Sequence, residues 1–126
     1  MYVAKFADLL GVTLKSVEVR EDKEAIAFAS EDGRAWRQYH DQNCCESVAI
    51  EDICGDLNDL IGSPIVTAEE ASGETAQPDG WQKGEYVESF TWTFYRLATA
   101  KGLVTIRWFG ESNGYYSESV DFEEVR

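Results

Sequence analysis

The sequence predicts an α+β fold: antiparallel sheets with one or two short helices in a single compact domain. Its strongest sign lies near the C-terminus, where Phe90, Trp92 and Phe94 alternate with Ser89, Thr91 and Thr93, and Val104, Ile106 and Trp108 alternate with Thr105 and Arg107. A period of two marks a strand with one face buried. A second sign is a series of β-rich runs before His40, separated by acidic turn-forming tripeptides. The third is a pair of helical apolar spacings, at Phe6, Leu9 and Leu10 and at Ile50, Ile53, Leu57 and Leu60. A chain of 126 residues fits one domain and should bury roughly two thirds of its unfolded surface. Its 44% hydrophobic content supplies the apolar surface that a disordered chain lacks.

Taken in order, a short helix ends at Gly11, which can close it in the left-handed conformation. An N-terminal β-meander over 12–40 follows, with strands at Thr13 to Arg20, Glu24 to Ser30 and Arg34 to His40 and turns at Glu21-Asp22-Lys23 and Glu31-Asp32-Gly33. In the central acidic region, 41–70, Gly55 interrupts the helical spacing. A strand at Val48 to Ile50 and a short helix from the Gly55-Asp56 cap to Gly62, just before Pro64, fit better. Residues 71–84, with Gly73, Gly80, Gly84, Pro78 and Trp81, predict a mobile loop.

The C-terminal antiparallel sheet spans 87–124, with Val120 and Phe122 suggesting its third strand. Setting Trp92 opposite Trp108 and Phe94 opposite Ile106 puts both tryptophans on the inner face and leaves a three-residue loop, Thr99-Ala100-Lys101. A tight hairpin at Asn113-Gly114 would mix core and solvent faces, so an open loop around Ser112 to Tyr116, with a bulge at Gly110, is expected. That loop would carry Asn113, Tyr115 and Tyr116 beside Arg107.

Charge is localised. The net charge is −13, and between Arg37 and Lys83 there is no Lys or Arg, while Asp41, Glu46, Glu51, Asp52, Asp56, Asp59, Glu69, Glu70, Glu74 and Asp79 fall there. Such a field repels nucleic acid and attracts basic proteins or cations. Cys44, Cys45 and Cys54 are odd in number with two adjacent, a poor disulfide framework; no disulfide and a reducing cytoplasm are expected. No apolar run has the length of a signal peptide or of a membrane span.

Chemistry-bearing clusters are few. His40 to Glu46 gathers the sole histidine and two thiols, but adjacent cysteines do not match zinc-ligand spacing, and small buried thiols beside a polar loop are the better account. Glu51, Asp52, Asp56 and Asp59 lack the alternating ligands and terminal Glu of a calcium loop. No metal and no cofactor are therefore expected. Arg107 lies in a run of β-formers, opposite in face to Ile106 and Trp108. Its planar fork could stack on a base and pair with a phosphate, or could simply meet one of the many acids.

The blocks 40–48 (His-Asp-Gln-Asn-Cys-Cys-Glu-Ser-Val), 50–65, 91–95 (Thr-Trp-Thr-Phe-Tyr) and 105–120 (Thr-Ile-Arg-Trp-Phe-Gly-Glu-Ser-Asn-Gly-Tyr-Tyr-Ser-Glu-Ser-Val) resemble a family of small acidic phage and prophage proteins that includes the first type of Thoeris anti-defence protein. The resemblance implies an oligomeric sponge in the cytoplasm of an infected bacterium. It would sequester the cyclic ADP-ribose signal of bacterial TIR-domain proteins without cleaving it. The positions that suit aromatic stacking and diphosphate binding are Arg107, Asn113, Tyr115, Tyr116 and Arg96. The alternative is an acidic inhibitor that mimics nucleic acid and blocks a host nuclease or regulator. Direct contact with nucleic acid or membrane is not expected.

Overall fold

Two antiparallel sheets face each other across one apolar core. The computed structural model describes residues 2–72, 78–84 and 88–125. Along them run β1 (Tyr2–Val3), β2 (Leu14–Val19), β3 (Ala25–Ser30), β4 (Ala35–Tyr39), β5 (Ser47–Cys54), β6 (Thr67–Ser72), β7 (Ser89–Thr99), β8 (Gly102–Ser112) and β9 (Asp121–Val125). The first sheet, A, has the order β1-β9-β4-β3-β2 and the second, B, the order β5-β8-β7-β6. Residues 73–77 of the expected 71–84 loop lie outside the described residues, while Ala71 and Ser72 belong to β6.

Both expected helices are single 3-10 turns, Phe6–Leu9 and Leu57–Leu60, so the fold is mainly β rather than α+β. Asp8 accepts from the Lys5 N–H at the first, and Asp56 caps the second by accepting from the Asn58 N–H. The physical reason for the misleading spacing lies in β5. Ile50 pairs with Trp108 and Ile53 with Ile106, two residues apart on β8, because a bulge at Glu51 inserts one extra residue. A bulge turns the strand period of two into a local step of three, so Ile50 and Ile53 face one side as they would on a helix. Gly55 then leaves the strand at φ +105°, where a Cβ would stand 2.5 Å from the Leu103 carbonyl oxygen.

The register of β7 on β8 differs by one residue from the expected one. Thr93 pairs with Trp108, Tyr95 with Ile106 and Leu97 with Val104, and Thr99 meets Gly102 across a two-residue turn, Ala100-Lys101. Trp108 therefore faces the core and Trp92 the opposite side. The turn is pinned from outside the hairpin: Thr99 Oγ1 donates to the Asp59 carbonyl and Lys101 Nζ to the Ile61 carbonyl at 2.6 Å. The third strand of the expected C-terminal sheet is also reassigned. After the bends at 113–116 the chain crosses to sheet A, where β9 pairs with β1 and β4.

The core joins Leu14, Ile26, Phe28 and Trp36 of sheet A to Val48, Ile50, Leu97, Val104, Ile106 and Trp108 of sheet B, with Leu9, Leu60 and Ile65 closing its ends. One hydrogen bond crosses it, from the Trp108 indole N–H to Gln38 Oε1 at 2.7 Å, with both side chains buried. Trp108→Ala is expected to lower unfolding stability by roughly 3–5 kcal/mol, the range for emptying a large aromatic site. Denaturant unfolding measures it, and an unchanged midpoint would place Trp108 outside the core.

Candidate functional site

Sheet B carries apolar side chains on both faces. Its outer face is set by the β7–β8 register, which lays Trp92 beside Phe109 and Phe94 beside Arg107, with Phe90 one step further along β7. The Trp92 and Phe109 rings lie 4.6 Å apart, and Trp81, from the segment 78–84, caps them with its ring 4.6 Å from Phe90, 5.4 Å from Trp92 and 5.6 Å from Phe109. Trp92 is only 3% exposed, and its indole N–H has no acceptor.

Arg107 stands at the border of this aromatic patch. Its strand neighbours are Phe94 on one side and Asp52 on the other. The guanidinium Nη1 lies 3.9 Å from Glu51 Oε2, and the buried Nε has no partner. Arg96, on the same face, lays its guanidinium over the Phe94 ring at 4.9 Å, opposite Glu69 on β6. Planar rings and guanidinium edges side by side suit a planar anion. Nearby Cys54 is exposed and donates to Asp52 Oδ2, and that hydrogen bond and charge push its thiol pKa up, away from the thiolate needed for nucleophilic attack.

Of the residues expected to bind a ligand, Arg107 and Arg96 share this face. Asn113, Tyr115 and Tyr116 were expected beside Arg107. They follow the end of β8 at Ser112, five strand residues beyond Arg107, or about 17 Å at ~3.3 Å per residue. The strand continues as far as Ser112 because β7 pairs with it along its whole length. The Asn113 side-chain Oδ1 accepts from the Tyr115 backbone N–H at 3.0 Å. Sequence reasoning passed over Trp81, Phe94 and Phe109. The signal for the last two was present, since Phe109 continues the alternation Thr105, Arg107 on the face away from Trp108.

A second region forms where the sheets part, and it joins the blocks 40–48 and 105–120. His40 Nδ1 donates to the Ser119 carbonyl at 2.7 Å, so its Nε2, 2.8 Å from Glu46 Oε2, completes a buried imidazolium–carboxylate pair. Glu46 also accepts from the Asn43 and Cys44 backbone N–H groups and from the Gln42 side chain. Burial pulls the His40 pKa down, but Glu46 and the Ser119 carbonyl outweigh it and the net shift is upward. Burial likewise opposes ionisation of Glu46, and the Cys44 N–H and His40 overcome it, bringing the pKa to about 2. With both ring nitrogens engaged, His40 orders the loop rather than acting as a base. Cys44 and Cys45, with Cα atoms 3.7 Å apart, are joined in a disulfide and exposed, which corrects the expectation of free, buried thiols. Glu46 holds the backbone N–H groups of Asn43 and Cys44 in this bend.

Beside this loop a cleft of about 690 Å³ opens, lined by Phe6, Tyr39, Asp41, Glu70, Tyr95 and Asp121 among others. Burial, then Glu70 and Asp121, push the Tyr95 hydroxyl pKa well up, so it stays protonated. The carboxylates make this cleft repel phosphate.

The pair His40–Glu46 makes stability depend on pH with a defined sign. His40 is raised above its ordinary 6.5 and Glu46 lowered from 4.5 to about 2. The contribution is therefore complete between those ordinary values, fades as pH rises through the raised His40 pKa, and fades again as pH falls through that of Glu46. The melting-temperature difference between wild type and Glu46→Gln is expected to be largest at about pH 5–6 and to shrink as pH rises through the raised His40 pKa. A difference that stays constant over that range would remove the ion pair from the account.

No helix among the described residues is long and apolar enough to cross a membrane. Neither the curated proteins nor the solved structures contain a match to this chain. One family does match, across residues 7–122, and the chain belongs to it: the domain of unknown function DUF7448.

Proposed function

We propose that the chain is a non-catalytic binding protein that captures a cyclic ADP-ribose-type nucleotide signal on the outer face of sheet B and holds it uncleaved. In this reading it acts as an oligomeric sponge in the cytoplasm of an infected bacterium. The observation that carries it is the Arg107 Nε–H, buried without a partner at the edge of an aromatic patch. Arg96 adds a second guanidinium above Phe94. The ligand class comes from the resemblance of the sequence blocks. The absence of turnover is supported by His40, whose two nitrogens are bound, and by Cys54, whose thiol is held protonated. A diphosphate would displace Glu51, whose side chain is 46% exposed and 3.9 Å from Arg107; a partly exposed pair at that distance contributes little.

The distribution of carboxylates disfavours the nucleic-acid mimic. Glu46 is buried under His40, while Glu51 and Asp52 lie on β5 and Glu69 and Glu70 on β6, the two opposite edges of sheet B. Three strand spacings, about 14 Å, separate those edges, so the acids do not form one continuous track. Glu74 lies outside the described residues.

Titration with cyclic ADP-ribose tests the proposal. Arg107→Ala is expected to weaken binding by roughly 1.5–3 kcal/mol, the range for hydrogen bonds to a charged group, with the fold intact. Joint neutralisation of Glu51, Asp52, Asp56 and Asp59 should leave capture nearly unaffected or slightly tighter, since Glu51 no longer competes for Arg107, and denaturation should release the ligand whole. Recovery of a cleaved product would indicate an enzyme. Retained capture by Arg107→Ala together with loss in the quadruple variant would transfer function to the acids.

A further inference from the structure

The seat now filled by Trp81 has a chemistry that Trp81 itself does not satisfy. Phe90, Trp92 and Phe109 form a three-ring cup, and the Trp81 ring meets all three edge-on, at interplanar angles of 62°, 85° and 60°. Trp92, one wall of that cup, has an indole N–H that is buried and lacks an acceptor. An indole ring is a donor only, so Trp81 cannot supply one. A buried donor left unpaired is destabilising. A heteroaromatic ring with an in-plane nitrogen would fill the same volume and accept that hydrogen.

A second orphan donor lies on the same face. Trp92 is paired with Phe109, and Arg107 precedes Phe109 by two residues, which makes Trp92 and Arg107 diagonal neighbours. Such neighbours stand on the order of 7–8 Å apart. A ring nitrogen and an anionic group of one nucleotide can span that distance. The covering segment is of a kind that can exchange. Trp81 lies in 78–84, outside the strands, next to Gly80 at φ +76°, with its backbone N–H donating to the Pro78 carbonyl at 3.2 Å.

We propose that the Phe90–Trp92–Phe109 cup is a subsite for an N-heteroaromatic ring bearing an anion, such as a purine nucleotide, and that Trp81 is its exchangeable internal occupant. The ring nitrogen accepts from the Trp92 N–H, the anion engages Arg107, and Trp81 swings out as the ligand enters. This rests on the nucleotide-binding reading above, to which it adds the ring subsite and its cover.

The test uses the full chain carrying Trp81→Gly, with free indole and ADP as probes and the tryptophan indole N–H resonances as the readout. Indole should bind the vacated cup without moving the Trp92 N–H signal downfield. ADP should displace indole and move that signal downfield. Affinity for ADP should exceed that of wild type by roughly tenfold, because no ring has to leave first. Arg107→Ala should weaken ADP and leave indole binding untouched. In wild type, ADP should shift the Trp81 resonance, assigned with Trp81→Phe, toward that of an exposed indole.

Failure of indole to bind folded Trp81→Gly overturns the cup, even where ADP still binds and the broader reading survives. Indole binding that neither adenosine nor ADP competes away overturns the exchange and leaves Trp81 a structural cover. Competition by adenosine, with ADP affinity indifferent to Arg107→Ala, supports the cup and sinks the anion site instead. Where Trp81→Gly does not fold, Trp81→Phe decides, since weaker ADP binding by that stable variant contradicts displacement and equal or tighter binding supports it.

Discussion

The pairing of β7 with β8 is the constraint from which the rest follows. Eleven consecutive residue pairs fix which side chains of each strand share a face. In this register Tyr95, Leu97, Val104, Ile106 and Trp108 enter the core, and Phe90, Trp92, Phe94 and Phe109 remain outside. A slip of one residue would exchange every side chain of one strand between the faces. It would break both the Trp108–Gln38 bond across the core and the ring cup under Trp81. The two-residue turn holds the register, and residues of the Leu57–Leu60 segment hold the turn through Asp59.

The acidic excess has several different physical roles. Glu46 is buried and satisfied by His40 and two backbone N–H groups, so it organises a loop and contributes no surface field. Asp56 caps a turn. Asp52 and Glu69 stand across the ladder from Arg107 and Arg96, where opposite charges favour the pairing of edge strands with central ones. On sheet A the same device recurs, with Glu123 receiving both Arg37 at 2.7 Å and the Tyr39 hydroxyl at 3.1 Å. A net charge concentrated along the chain is thus dispersed in space.

That dispersal bears on what the two clefts and faces can bind. Where the sheets part, carboxylates and protonated tyrosine make an electronegative opening that suits a cation better than a phosphate. The outer face of sheet B has the two guanidinium groups and the rings, with Glu51 3.9 Å from Arg107 and with Asp52 and Glu69 across the ladder from the two arginines.

By itself the sequence placed β2, β3, β4, β7 and β8 to within a few residues, but it did not reveal β1 or β6 and it ended β5 at Ile50 rather than Cys54. Alternation in Phe90 to Phe94 and Val104 to Trp108, and turn residues such as Gly33, sit on the chain within a few residues of the structure they encode. The expected register set Arg96 on the face of Trp92 and Arg107 on the face away from Trp108, so their meeting on one face was decided by the observed pairing of β7 with β8. Tertiary structure decided what depends on a distant partner. Register was one such case, because a strand apolar on both faces fits two registers equally well by pattern. The Glu51 bulge was another, since it made a strand look helical, and so was the passage of β9 to sheet A. That the Ser119 carbonyl holds His40 over the buried Glu46, and that Trp81 lands on Phe109, follow from contacts between segments far apart in sequence. Local periodicity records which side chains alternate; only packing selects the neighbours they meet.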